Sequence, residues 1–399
     1  MTSNVSIRRG PPAVAVALAL ALTLAACGAD EGTTVRDLGA EGTDESAGSA
    51  TGSSSGSASS PASGSSSGSA SAVAGESAAD SASGSASAVA GAGGGEVSGD
   101  GGYQYASNVD AHRLVTVDVC RIKELLAADP VDFDAVAAVY SAGGNSVNAD
   151  GSVRTLAGFA AGTPIGDFVS EALGGTGAFS GESDAVRAQG TEKGIQNQLL
   201  VAWTVDELDS ALAKAAAGDF DVASGAVHNW DEAWAFYHGA EPGCGPYATA
   251  DSRADNFGTM NADGTMAKAN AAILTAMKDG RDALLAEDAD GSQVAAEEIK
   301  RNIWITYSQA TVRYATLIEG DLAEGNREAA REHQAEGLAF WRVIEADATA
   351  MGADGAAVNA IVELANEPGA SGFGDEVRAA LAPFWESAGI TEDDIGTLE

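Results

Sequence analysis

Basic residues are scarce in this chain: 21 lysines and arginines stand against 58 aspartates and glutamates, a formal net charge of −37 over 399 residues. Nucleic-acid binding and attachment to an anionic membrane surface both need cations that neutralise phosphates, so neither is expected. The acid excess fits two uses, a solubilising surface for a salty environment or a field that concentrates cations. Histidine is scarcer still, 4 in all, which excludes a histidine-rich metal cage. Cysteine is confined to Cys27, Cys120 and Cys244. Gly-x-Ser-x-Gly occurs only inside the Ser/Gly-rich stretch, at 52-GSSSG-56 and 64-GSSSG-68, with no strand-to-helix pattern to make an elbow, and there is no His-Glu-x-x-His and no phosphate-binding Gly-Lys-Ser/Thr loop, so hydrolytic and nucleotide chemistry find no support and an enzyme is not expected.

The apolar run 13-AVAVALALALTLAA-26 is short for a membrane span. Arg8 and Arg9 precede it and 24-LAAC-27 closes it. A charged start, a short apolar core and small residues before a cysteine make a secretory signal with a lipobox. The expectation is removal of residues 1–26 and a diacylglycerol thioether on Cys27, giving an extracytoplasmic, membrane-anchored lipoprotein. Residues 27–102 are Ser, Gly and Ala with scattered acids, as in 51-TGSSSGSASSPASGSSSGSA-70. Such a segment has almost nothing to bury and reads as a flexible tether, reaching on the order of 50 Å. In an exported protein the remaining pair, Cys120 and Cys244, can form one disulfide. The residues alone leave open whether it does.

From Tyr103 to the last residue, Glu399, apolar residues recur at helical spacing, with no convincing strand alternation. Helices are expected over 112–129, 131–143, 184–218, 219–239, 266–287, 293–325, 326–348, 355–367 and 374–389, with an irregular Gly-rich segment over 143–181 that holds one short helix around 165–173, and a loop over 241–258. The fold class is all-α, an antiparallel helical bundle. Laying 230-WDEAWAFY-237 on 334-QAEGLAFW-341 brings Glu232 onto Glu336, and one helix earlier Lys193 falls on Lys300. This points to an internal duplication, with halves at about 103–250 and 251–399.

The repeated carboxylates sit inside apolar helices. Residues three or four apart share a helix face, so His333, Glu336, Phe340 and Ile344 form one stripe, and His228 with Glu232 another. A buried carboxylate is paired, protonated or metal-bound. Two readings follow. In the first, Glu232, Glu336, His333, His228, Glu207 and Asp206 supply ligands for iron, manganese or zinc. In the second, Arg313, on the polar stripe of 302-NIWITYSQATVRYATLI-318, neutralises Glu336 in a buried ion pair without metal. Trp230, Trp234, Trp304 and Trp341 read as core. Gly337 beside Glu336 leaves room for another helix to come close.

The strings 228-HNWDEAWAFYHG-239, 252-SRADNFGTMN-261, 305-ITYSQATVRYA-315 and 332-EHQAEGLAFWRVIE-345 resemble the low-iron-inducible periplasmic proteins of algae, the Fe-assimilating family. The resemblance covers Tyr103 to about Trp385. It implies a secreted or periplasmic protein that assists iron uptake by binding Fe3+ or Fe2+ near the surface, with an iron transporter in the membrane as partner. The lipobox and long linker depart from the algal pattern and favour tethered capture over free diffusion.

Overall fold

The computed structural model describes residues 99–369 and 372–399; the expected signal 1–26, Cys27 and most of the expected tether lie outside the described residues. Apart from one short ribbon and two isolated bridges, the regular structure of the described residues is helical. The ribbon pairs β1 (Gly99–Asp100) with β2 (Tyr103–Gln104), so Gly99–Gly102, expected in the tether, belong to the fold. Asp100 holds them there: it is buried, forms an ion pair with Arg113 and accepts a hydrogen bond from the Tyr105 hydroxyl at 2.8 Å.

The first expected helix is divided at Leu114 into α1 (Asp110–Arg113) and α2 (Val115–Leu126). The Thr116 hydroxyl donates to the Arg113 carbonyl at 3.0 Å, closing the short turn that is α1. Next come α3 (Phe133–Ala142), α4 (Leu156–Ala160) and α5 (Pro164–Gly174). Asp132, Thr155 and Thr163 cap these three by accepting from backbone N–H groups of the first turn. The long helix expected over 184–218 is continuous but not uniform: α6 (Asp184–Lys193) passes through a π-helical stretch, Gly194–Leu199, into α7 (Leu200–Ala216). That stretch buries Gln196 and Asn197, which bond Lys123 Nζ at 2.9 Å and the Thr249 and Tyr307 hydroxyls at 2.7 and 3.0 Å.

Next is α8 (Ala226–Tyr237), followed by α9 (Pro246–Asn256), which replaces most of the loop expected over 241–258. Its prolines misled: Pro246 stands in the first turn of a helix, where a missing N–H costs nothing. The large half of the bundle is α10 (Lys268–Leu285), α11 (Ala289–Glu324) and α12 (Arg327–Ala350), closed by α13 (Gly355–Val362), α14 (Phe373–Ser387) and α15 (Glu392–Ile395). At 1.5 Å per residue α11 is about 54 Å long, and α10 and α12 both pack along it. No helix among the described residues is long and apolar enough to cross a membrane.

Two main apolar cores result among the described residues, beside a small cluster of Ala250, Ala254 and Ala267. The larger holds Trp230, Trp234 and Trp341, fully buried; the smaller holds Val119, Ile122, Trp203 and Phe236, with Trp203 stacked between Phe159 and Phe236. Trp304, expected in the core, is only half-buried, its indole N–H donating to Asp347 at 3.0 Å. Close approach depends on two glycines. A Cβ on Gly280 would lie 2.0 Å from the Trp230 ring, and one on Gly337 would press on Tyr314 and Val362 at 3.3 Å. Cys120 and Cys244 are joined, with Cα atoms 5.3 Å apart, tying α2 to the segment that follows α8.

Candidate metal centre

Three side chains converge where α1 meets α8. Glu232 Oε1 lies 2.7 Å from His112 Nε2 and 3.0 Å from His228 Nε2. All three ligand atoms lie within 4.8 Å of one another, and among the described residues no other group of His, Cys, Asp and Glu meets that condition. His228 and Glu232 share a face of α8, four residues apart, as their spacing predicts. His112 was missed: it sits on a one-turn helix far away in the chain, and nothing in its local pattern sets it apart. The weak signal was numerical, since 4 histidines leave few partners for a buried glutamate.

Hydrogen bonds orient both imidazoles. Asp231 is fully buried and accepts from the Tyr103 hydroxyl at 2.7 Å, from the backbone N–H groups of Ala106 and Ser107 at 2.8 and 2.6 Å, and from the Ser107 hydroxyl at 2.8 Å. The Ser107 hydroxyl has given its proton to Asp231, so it accepts from His228 Nδ1–H across 3.0 Å. That contact turns His228 Nε2 toward Glu232. A carboxylate behind a hydroxyl behind an imidazole is the outer-sphere arrangement that holds metal-binding histidines.

His112 is held by another route. Arg154 Nη2 is 2.5 Å from His112 Nε2, and a guanidinium can only donate. His112 Nε2 therefore accepts, and its ring proton rests on Nδ1, which is buried without a hydrogen-bond partner. Burial pushes the His112 pKa below its ordinary value, against the pull of Glu232. Two imidazole nitrogens and a carboxylate oxygen thus converge within 4.8 Å, a donor set that a cation takes by displacing the protons held there. The donor set fits a divalent or trivalent metal ion.

A second carboxylate stands behind the first. Asn229 Nδ2 donates to Glu207 Oε2 at 2.5 Å and approaches Glu232 Oε2 at 3.4 Å. Burial, then the charge of Glu232, raises the Glu207 pKa well above the usual range. Burial alone would raise Glu232 too, but the imidazoles of His112 and His228 against it outweigh burial and hold Glu232 well below. The pair is thus pushed apart, Glu232 toward the ionised form and Glu207 toward the protonated one.

The other expected ligands lie elsewhere. Asp206 points outward on α7, its pKa raised by partial burial and by Asp209. His333 Nδ1 is paired with Asp321 Oδ2 at 2.6 Å, away from Glu336. Glu336 is buried, as expected, and accepts from the Tyr314 hydroxyl at 3.1 Å. Its ion-pair partner is Lys193, 3.6 Å away, and the pairing expected with Arg313 is not among the ion pairs of the described residues. Arg313 instead lies over the Tyr314 ring. The two aligned glutamates thus differ chemically: Glu232 meets two imidazoles, Glu336 an ammonium and a phenol. The fourth histidine, His238, stacks on Trp234 and bonds the Gly239 carbonyl at 2.9 Å, a packing role.

Comparison with known protein families returns one description, low iron-inducible periplasmic protein, matched over residues 78–399. No curated protein and no solved structure matches. The match starts earlier and runs later than the resembling strings, taking in both the β1–β2 ribbon and α15. It spans every residue of the site just described, and the chain belongs to the family of low iron-inducible periplasmic proteins.

Proposed function

We propose that this protein captures an iron ion outside the cytoplasm, with His112, His228 and Glu232 as ligands and Glu207 as a neighbouring carboxylate, and hands it on without chemical conversion of a substrate. The observation that carries the reading is the convergence of two imidazole Nε2 atoms on Glu232 Oε1, in a chain whose family is named for low iron. Two imidazoles and one carboxylate with further positions open suit Fe(II); the hard oxygens of Glu232 and Glu207 add affinity for Fe(III). The acid excess favours the approach of cations.

Anchoring belongs to the same reading. The lipobox 24-LAAC-27 supports a lipid on Cys27, and the Ser/Gly tether lets the helical domain range from the membrane while a membrane iron transporter receives the ion. Equilibrium dialysis of the full chain against Fe(II), under exclusion of oxygen, and against Fe(III) tests capture. One equivalent retained by the wild type and lost in Glu232→Gln supports it; none retained by a folded chain overturns it. Cys27→Ser releasing the protein from the membrane fraction tests the anchor. Iron-dependent oxygen consumption by the loaded protein would reassign it as an enzyme.

A further inference from the structure

A cavity bordered by α2, α6, α9 and α11 has no part in the metal reading. It measures about 190 Å³, and its lining includes Lys123, Glu192, Lys193, Thr249, Arg253 and Tyr314. Three cations thus face one small space in a protein of net charge −37. Two of them have partners. Lys193 Nζ lies 2.8 Å from Glu192 Oε1 and 3.6 Å from Glu336 Oε1. Lys123 Nζ lies 3.6 Å from Glu192 Oε1 and donates to Gln196 Oε1 at 2.9 Å.

Arg253 has none. It is only 8% exposed, its Nε has no hydrogen-bond partner, and its guanidinium enters no ion pair among the described residues. Its one cation–π contact is the face of Tyr314, 5.6 Å from Cζ to the ring centroid, a ring that Arg313 also approaches at 5.1 Å. Stacking on a ring leaves the N–H edge of a guanidinium free to donate. A buried guanidinium without a counter-ion is unfavourable. With 58 carboxylates in the chain, its lack of one marks the place of a ligand.

We propose that this cavity binds a small oxyanion, a carboxylate or phosphate group, with the Arg253 guanidinium as forked donor and Lys193 and Lys123 as flanking charges. A fork of parallel N–H groups matches two oxygens on one centre, and the cavity holds a phosphate or a polycarboxylate of a few carbons. The site stands apart from the His112–His228–Glu232 centre and does not require metal.

Calorimetric titration of the metal-free full chain with inorganic phosphate and, separately, with citrate tests the assignment in wild type, Arg253→Gln and Lys123→Gln. Saturable one-to-one binding of at least one anion is expected. It should weaken at least about tenfold in Arg253→Gln, weaken less in Lys123→Gln, and fall with added salt. Binding of phosphate alone assigns a phosphate site, of citrate alone a carboxylate site. Thermal melting separates ligand binding from a structural role: without anion Arg253→Gln melts no lower than wild type, and the anion raises the melting temperature of wild type only. Saturation by neither anion, wild-type binding by Arg253→Gln, or a lower melt for that variant without anion would each overturn the proposal.

Discussion

The Ser107 hydroxyl stands 3.0 Å from His228 Nδ1, and because its proton is committed to Asp231 it can only accept there. This one contact decides which nitrogen of His228 faces Glu232. Ser107→Ala removes it while leaving the two backbone N–H bonds and the Tyr103 bond to Asp231 in place. Metal affinity should then fall about 10- to 100-fold, with little change in melting temperature. Titration beside a thermal melt checks both.

Arg154 predicts a change of opposite sign. Its Nη2 occupies the lone pair of His112 Nε2, and its guanidinium is drawn there by Glu232 and Glu207. A metal ion must displace it. Arg154→Gln should therefore tighten divalent metal binding several-fold at low salt, about 1 kcal/mol. Looser binding would mean that Arg154 helps to build the site.

How much of this was legible in the sequence depends on the range of the interaction. The long helices α10 and α12 carry periodic apolar patterns and α11 a long stretch free of proline, so their places follow from the residues. The helix α9 did not, because Pro242 and Pro246 punctuate its start and its outer face is polar. At the site, His228 and Glu232 are visible as a helical pair, and Glu207 as an acid in an apolar stretch. His112, Arg154 and Ser107 become partners only through tertiary packing. The alignment of Glu232 with Glu336 misdirected the search: similar flanking residues place both carboxylates inward, but what each meets is set by other helices.

Glu336→Gln therefore separates scaffold from metal site. The substitution removes a charge facing Lys193 and leaves Lys193 its bond to Glu192. It should cost about 1–3 kcal/mol of stability without altering metal stoichiometry. Denaturant titration and metal analysis of one preparation read both.

The neighbouring Glu192 gives a pH signature. Burial acts to raise its pKa, but Lys193 and Lys123 outweigh it and hold the carboxyl below its ordinary value. A depressed carboxylate pKa contributes stability that is fully present above the unfolded value, about 4.3, and is lost as pH falls through the folded value. The stability difference between wild type and Glu192→Gln should thus be level from pH 7 to about pH 5 and shrink at lower pH. A difference that grows on acidification would reverse the sign argued here.

Joining Cys120 to Cys244 couples the elements that present His112 and Glu232. Replacing both by serine should cost about 2–5 kcal/mol and loosen α2, the helix that α1 leads into, from the segment after α8. Metal affinity should fall together with stability, measured by titration in the temperature range where the variant remains folded.

The most direct test of the central claim is iron stoichiometry in matched variants of the full chain: His112→Ala, His228→Ala and Glu232→Gln against His333→Ala. One iron per chain in wild type and His333→Ala, with loss in the other three at unchanged helical content, is the predicted result. Retention in His112→Ala and Glu232→Gln, or loss in His333→Ala, would contradict it and return the search to the second helical pair.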